Sequence, residues 1–292
     1  MQIITAVLTG VLVLLAGNLP WAGFGRIGGL AAQNFRVGVV APWAIIPMAL
    51  YLWAYWRFIS GAWGGDTSAG ARRAYLRANR LSARVWSASL GAGALGFVTL
   101  LVLLSLAARL VPLPTAAPIT TPAAMPVVTA FLLLVMQSVV AGVTEEAAFR
   151  GYMQSMIERR HGVVIAIPVN GVIFGLLHFG NHPRDVLLMV PYYVAVSAVY
   201  GGLTWAADSI LPAVALHSAG DVVVLTRWWI SGLPEWQLAE TPPPLVWASG
   251  IDAPFVLTTL VAVALAALTT WMYWLLRTVR GRSVCITVTN TA

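Results

Sequence analysis

The sequence predicts an all-α polytopic membrane protein with about eight transmembrane helices and a polar site buried between helices four, five and seven. Three observations lead there. Of the 292 residues 59% are hydrophobic and only 9% charged, against roughly 25% charged in a soluble domain. Mean hydropathy is +0.83. The apolar residues fall into long segments separated by stretches rich in Arg, Pro and Gly, and ionisable groups interrupt three of those segments. No internal repeat and no soluble second domain is visible, so residues 1–292 read as one transmembrane domain.

The basic balance, +7 overall, comes from 17 arginines and no lysine. They cluster between the spans, where topology and anionic lipid account for them, so no nucleic-acid partner is expected. The single cysteine, Cys285, excludes an internal disulfide. It is the eighth residue from the end and forms no prenylation signal.

Taken in order, Ile3 to Leu15 is a short first span, lacking the basic residues that would begin a signal peptide. Val37 to Trp56 is the second, ending in the Trp and Tyr residues of an interfacial belt. Residues 57–86 form a basic cytoplasmic or interfacial segment. There Arg73, Arg77, Arg80 and Arg84 share one face of a helix, a pattern suited to anionic headgroups. Ser87 to Leu110 is the third span. The Pro-rich connection Val111 to Met125 cannot be helical throughout. Pro126 to Phe149, Val163 to Phe179, Val186 to Trp205, Leu211 to Ile230 and Ala253 to Leu276 complete the eight.

Eight spans place both termini on one side. With the N-terminus inside, only Arg26, Arg36, Arg109, Arg184 and Arg227 lie outside, and the other twelve arginines favour a cytoplasmic location for both termini.

The fourth span ends in Thr144-Glu145-Glu146-Ala147-Ala148-Phe149-Arg150, after a stretch whose only polar groups are Thr129, Gln137 and Ser138. A carboxylate at bilayer depth costs about 2.5–3.5 kcal/mol on insertion scales, which marks it as functional by default. Glu146 and Arg150 are i,i+4 with the acid first, the favourable order for an ion pair. Glu145 is turned away by about 100°, which leaves one neutralised pair and one carboxylate for chemistry. Phe174 and His178 are i,i+4 in the fifth span, and His217 and Asp221 in the seventh. Glu145 lies 16 residues before His161 and His178 16 after Gly162, each about 24 Å of helix from one turn. His217 lies only about 12 Å from its own turn near Asp208-Ser209. The heights agree if the four–five hairpin protrudes into the cytoplasm.

These three motifs, Glu145-Glu146-x-x-x-Arg150, Phe174-x-x-x-His178 and His217-x-x-x-Asp221, resemble the CPBP intramembrane proteases, the CAAX-processing type II prenyl proteases and their bacterial Abi relatives. The approach from Tyr200 to His217 is also similar, and the resemblance covers about residues 126–230. Several members carry Asn where this chain has Asp221. The resemblance implies an intramembrane endopeptidase acting on a membrane-associated or lipid-anchored peptide, with the bilayer as its other partner.

In that reading Glu145 is the general base. His178 orients the water, His217 donates to the oxyanion, Glu146–Arg150 holds the Glu145 helix, and Asp221 orients His217. Two histidines and a carboxylate also make a hydrolytic zinc set, but no His-Glu-x-x-His motif is present, and a metal-independent glutamate mechanism is favoured. The alternative from another class is a transporter or bacteriocin-immunity-type binding protein using the same polar cluster without catalysis.

Overall fold

The computed structural model describes residues 2–24, 27–178 and 185–289. Twelve α-helices and one π-helical segment carry almost all of it. The longer helices are α1 (Gln2–Ala22), α3 (Ile45–Ile59), α5 (Ala83–Leu110), α6 (Val127–Glu145), α8 (Val163–Leu177), α9 (Val186–Ala207), α10 (Leu211–Ser231) and α12 (Ala253–Thr289). Shorter helices, α2 (Leu30–Arg36), α4 (Asp66–Leu76), α7 (Gln154–His161) and α11 (Val246–Ser249), lie between them. The π segment, Glu146–Met153, joins α6 to α7. A two-residue antiparallel ladder pairs β1 (Gly23–Phe24) with β2 (Ile27–Gly28).

Among the described residues, five stretches are long and apolar enough to cross a membrane: Gln2–Ala22, Ala83–Leu110, Val127–His161, Leu187–Ala207 and Ala253–Arg280. α3 and α8 are apolar but shorter. The burial pattern is that of a protein solvated by lipid. On α1, Ile4, Leu8 and Leu12 form an exposed i,i+4,i+8 stripe, while Ala6, Gly10 and Gly17 are buried. An apolar stripe of this kind is an aggregation hazard in water and the normal state of a helix facing acyl chains. The chain is an integral membrane protein.

Several boundaries differ from expectation. α1 runs to Ala22 through Pro20, because Trp21 packs inside with its indole N–H donated to Gln137 Oε1 at 2.7 Å. The second span loses its first turns: Gly38 takes φ +73 and α3 starts only at Ile45. The four arginines do not share a helix. α4 stops at Leu76, Arg77 turns left-handed at φ 54, and α5 begins afresh behind the Ser82 N-cap. The break is held by Arg77 itself, whose Nη1 donates to Glu158 Oε2 at 2.8 Å. Phe179, placed in the fifth span, and Arg26 and Arg184, used to orient the chain, lie outside the described residues.

The structure divides into two compact units. The first comprises residues 1–78, 117–162 and 214–235. Its axis is the continuous α6–π–α7 stretch, against which α1 packs through small residues. A Cβ on Gly10 would stand 2.8 Å from Met153 Cε, and one on Gly17 would stand 2.6 Å from Thr144 Cγ2. Small residues let membrane helices approach where no hydrophobic drive exists between them. Tyr152 Oη donates to Ile59 O at 2.7 Å and Arg159 Nη2 to Ala74 O at 2.8 Å, tying α3 and α4 to the same axis.

The second unit comprises residues 79–116, 163–213 and 236–292. α5, α9 and α12 meet around Tyr273, whose hydroxyl donates to Val199 O at 3.0 Å. Gly96 and Gly202 leave room for that ring. Thr99 and Thr269 share a buried hydroxyl bond at 2.8 Å. α8 lies on α9 through Gly171, where a Cβ would reach within 2.6 Å of Val194 Cα.

Candidate active site in the first unit

The fourth span delivers Glu145 as the last residue of α6, and Glu146 as the first of the π segment. All eight residues of that segment are buried. A π-helix closes i→i+5 bonds and occurs mostly as short insertions at functional sites. α10 enters alongside because α6 carries no side chain at Gly142. A Cβ there would sit 2.1 Å from Ser218 Oγ and 2.9 Å from the Ser218 amide nitrogen. Ser218 follows His217 in sequence, so this close approach sets the depth at which the imidazole meets the two glutamates.

The result is a compact ionisable cluster. Glu146 Oε1 accepts from Arg150 Nη1 at 3.0 Å and from His217 Nδ1 at 2.7 Å. The side chains of Glu146 and Arg150 are completely buried. Glu146 Oε2 has no hydrogen-bond partner among the described residues. On the other edge of the ring, His217 Nε2 faces Asp221 Oδ2 at 3.6 Å and Glu145 Oε2 at 3.8 Å. Those two carboxylates are the more open ones, at 24% and 14% side-chain exposure. Burial thus rises from Asp221 through Glu145 to the sealed Glu146–Arg150 pair.

Five of the six expected site residues therefore come together: Glu145, Glu146, Arg150, His217 and Asp221. The Glu146–Arg150 pair forms with the i,i+4 partner expected. The hydrogen bond that fixes His217 differs from expectation. It comes from Glu146, 71 positions away, and not from Asp221 one turn along α10. Asp221 stands beyond hydrogen-bond distance, on the same ring nitrogen as Glu145.

His178 belongs to the second unit, just past α8. Its Nδ1 bonds Phe174 O at 2.7 Å, and its ring packs on Phe174 and Tyr193 with centroids 4.4 and 4.7 Å away. A backbone acceptor and two aromatic walls leave the imidazole one orientation, with Nε2 directed away from its own helix.

Sequence reasoning missed two contributors. One is Gly142, a glycine among the many of an apolar helix, marked by nothing but small size. The other is Glu235, placed only in a loop. Arg227 Nη2 holds that loop by donating to Pro234 O at 2.6 Å. The half-buried Glu235 carboxyl is pushed up to about 8 by its burial and then by the charges of Asp221 and Glu145, against the pull of His217 and Arg227.

No three His, Cys, Asp or Glu side chains among the described residues are arranged to hold a metal ion. The set of two histidines and a carboxylate that zinc would need is not assembled among the described residues.

No curated protein and no solved structure matches the chain. A family model does, over residues 127–223, and its description is type II CAAX prenyl endopeptidase Rce1-like. That range begins with α6 and ends two residues after Asp221, so it contains every motif described above. This region, which carries the whole ionisable cluster, is similar to the Rce1-like family of type II CAAX prenyl endopeptidases.

Proposed function

We propose that the protein is an intramembrane endopeptidase in which Glu145 activates a water molecule to hydrolyse a peptide bond in a membrane-associated or lipid-anchored substrate. One observation carries this reading: Glu145 Oε2 and Asp221 Oδ2 converge on His217 Nε2 at 3.8 and 3.6 Å, while His217 Nδ1 is pinned to Glu146. Distances of that size are too long for direct hydrogen bonds and suit a bridging water. A general base must lie within one such contact of the proton it removes.

The step is a hydrolysis. Glu145 takes a proton from the water as its oxygen attacks the scissile carbonyl carbon. The carbonyl oxygen becomes an oxyanion, and the proton passes to the nitrogen as the C–N bond breaks, leaving a carboxyl and an amine. With Nδ1–H given to Glu146, His217 can donate to the oxyanion from Nε2 only as an imidazolium, so Glu146 sets both its orientation and its donor. Sealed inside, Glu146–Arg150 is a positioning pair. For His178 the support is the Phe174-x-x-x-His178 motif and its fixed ring, and replacement by alanine tests its role.

The assay is reconstitution into liposomes with a membrane-anchored peptide and identification of the products by mass. A single new N-terminus on one fragment and one water-derived oxygen in the new carboxyl of the other, both absent from protein-free liposomes, are expected. Tight peptide binding without any cleaved product would instead favour the non-enzymatic binder.

A further inference from the structure

The second unit holds a cavity of about 380 Å³, within the range of small-molecule sites. It lies where α5 ends and α12 begins, between Arg109, Leu113, Trp236, Pro242, Phe255 and Thr258. No part of the ionisable cluster lines it.

Three features say what solvent it meets. Both bounding helices are long enough to span the membrane, so a cavity at their ends lies at the level where acyl chains meet headgroups. Trp247, largely exposed, donates its indole N–H to Leu110 O at 2.8 Å, which is the placement of an interfacial belt residue. The walls are held without an occupant: Trp236 Nε1 donates to Pro114 O at 2.7 Å, and prolines 112, 242 and 243 stiffen the loops.

The charged residue in the lining is Arg109. Its Nη2 donates to Asp252 Oδ2 at 2.9 Å. Its Nε is buried with no hydrogen-bond partner among the described residues. A buried donor on a guanidinium is costly to leave without an acceptor. Because Asp252 already balances the charge, the missing partner is an acceptor oxygen and not a free anion.

We infer that this cavity is a binding site for one membrane glycerophospholipid, its acyl chain between Trp236, Phe255 and Thr258 and an ester carbonyl oxygen on Arg109 Nε. A largely apolar cavity with one charged donor, Arg109, and a few hydroxyl and amide groups in its lining, at headgroup level, matches that molecule in polarity. The site is separate from the ionisable cluster, and the inference does not depend on proteolysis.

Photo-crosslinking tests it. The full-length protein is placed in liposomes of phosphatidylethanolamine and phosphatidylglycerol containing a trace phospholipid with a diazirine near the end of its acyl chain. Adducts should concentrate on peptides covering 105–115 and 236–258, and unlabelled phospholipid should compete them away. Thr258→Trp, which fills the cavity, should remove this labelling while peptide cleavage continues. Arg109→Gln should weaken it roughly tenfold, the loss expected for one hydrogen bond to a charged group. Labelling spread evenly over the lipid-facing helices would overturn the assignment. So would labelling that a lipid-anchored peptide displaces and phospholipid does not. Competition in the wild-type protein decides the matter even where a variant fails to fold.

Discussion

Glu145 and Glu146 are neighbours in sequence with opposite environments, and their substitutions should separate accordingly. Glu146→Gln leaves Arg150 buried without its counter-ion and weakens the acceptor of His217 Nδ1. Breaking a buried pair costs about 3–5 kcal/mol, so a lower unfolding temperature and poor yield should accompany lost activity. A Glu146→Gln protein as stable as wild type would remove its positioning role. Asp221→Asn should keep most of the activity, because Asp221 stands 3.6 Å from Nε2 and makes no direct bond to lose. A collapse of rate at every pH in a folded Asp221→Asn protein would mean that its charge is required. The i,i+4 Glu146–Arg150 pair was legible from spacing alone. The Glu146–His217 bond was not, because nothing in one helix reports the depth of another that arrives 71 residues later.

At the scale of elements, the site depends on how closely α10 approaches α6. Gly142→Ala puts a methyl group against Ser218 and should cost about 1–3 kcal/mol as overpacking. The larger consequence is displacement of His217 from Glu146, so catalytic rate should fall more than substrate affinity. A Gly142→Ala enzyme with unchanged rate constants would show that this contact does not set the geometry. The loop after α10 adds a pH dependence. Glu235 is protonated at neutral pH and ionises as pH rises through about 8. That adds a negative charge beside Asp221 and Glu145, where the proposed mechanism forms an oxyanion, so activity should decline above that pH. Glu235→Gln should abolish this alkaline limb and leave the neutral rate intact, as a pH–rate profile of the two proteins would show. The raised value also means that folding loses stability as pH climbs from the ordinary glutamate range through 8, and Glu235→Gln should flatten that slope. Hydropathy located the membrane helices to within a few residues at most ends. It missed the stop at Arg77 and the π segment, since both are set by tertiary partners: Glu158 for the first, and the packing of α1 and α4 around buried residues for the second.

For the molecule as a whole, composition was enough to identify a membrane protein, and the lipid-facing stripe on α1 agrees with it. The count of spans was less legible, because five stretches meet the length and hydropathy of a full crossing while α3 and α8 fall short. α10 carries His217, Asp221 and Arg227 and so has the polarity of a helix serving a site. The arginine distribution favours cytoplasmic termini, and the single cysteine offers a direct check. An impermeant maleimide should label Cys285 only after the membrane of intact cells is broken; labelling of unbroken cells would reverse the orientation. The central claim is that Glu145 is the base that activates water, and one measurement bears on it most directly. Wild type and Glu145→Gln are reconstituted side by side, matched for unfolding temperature, and single-turnover cleavage of the same membrane-anchored peptide is timed. Loss of a general base predicts a fall of about 10²–10⁴ in the chemical step with peptide affinity unchanged, whereas cleavage within a few-fold of wild type by folded Glu145→Gln would contradict the account.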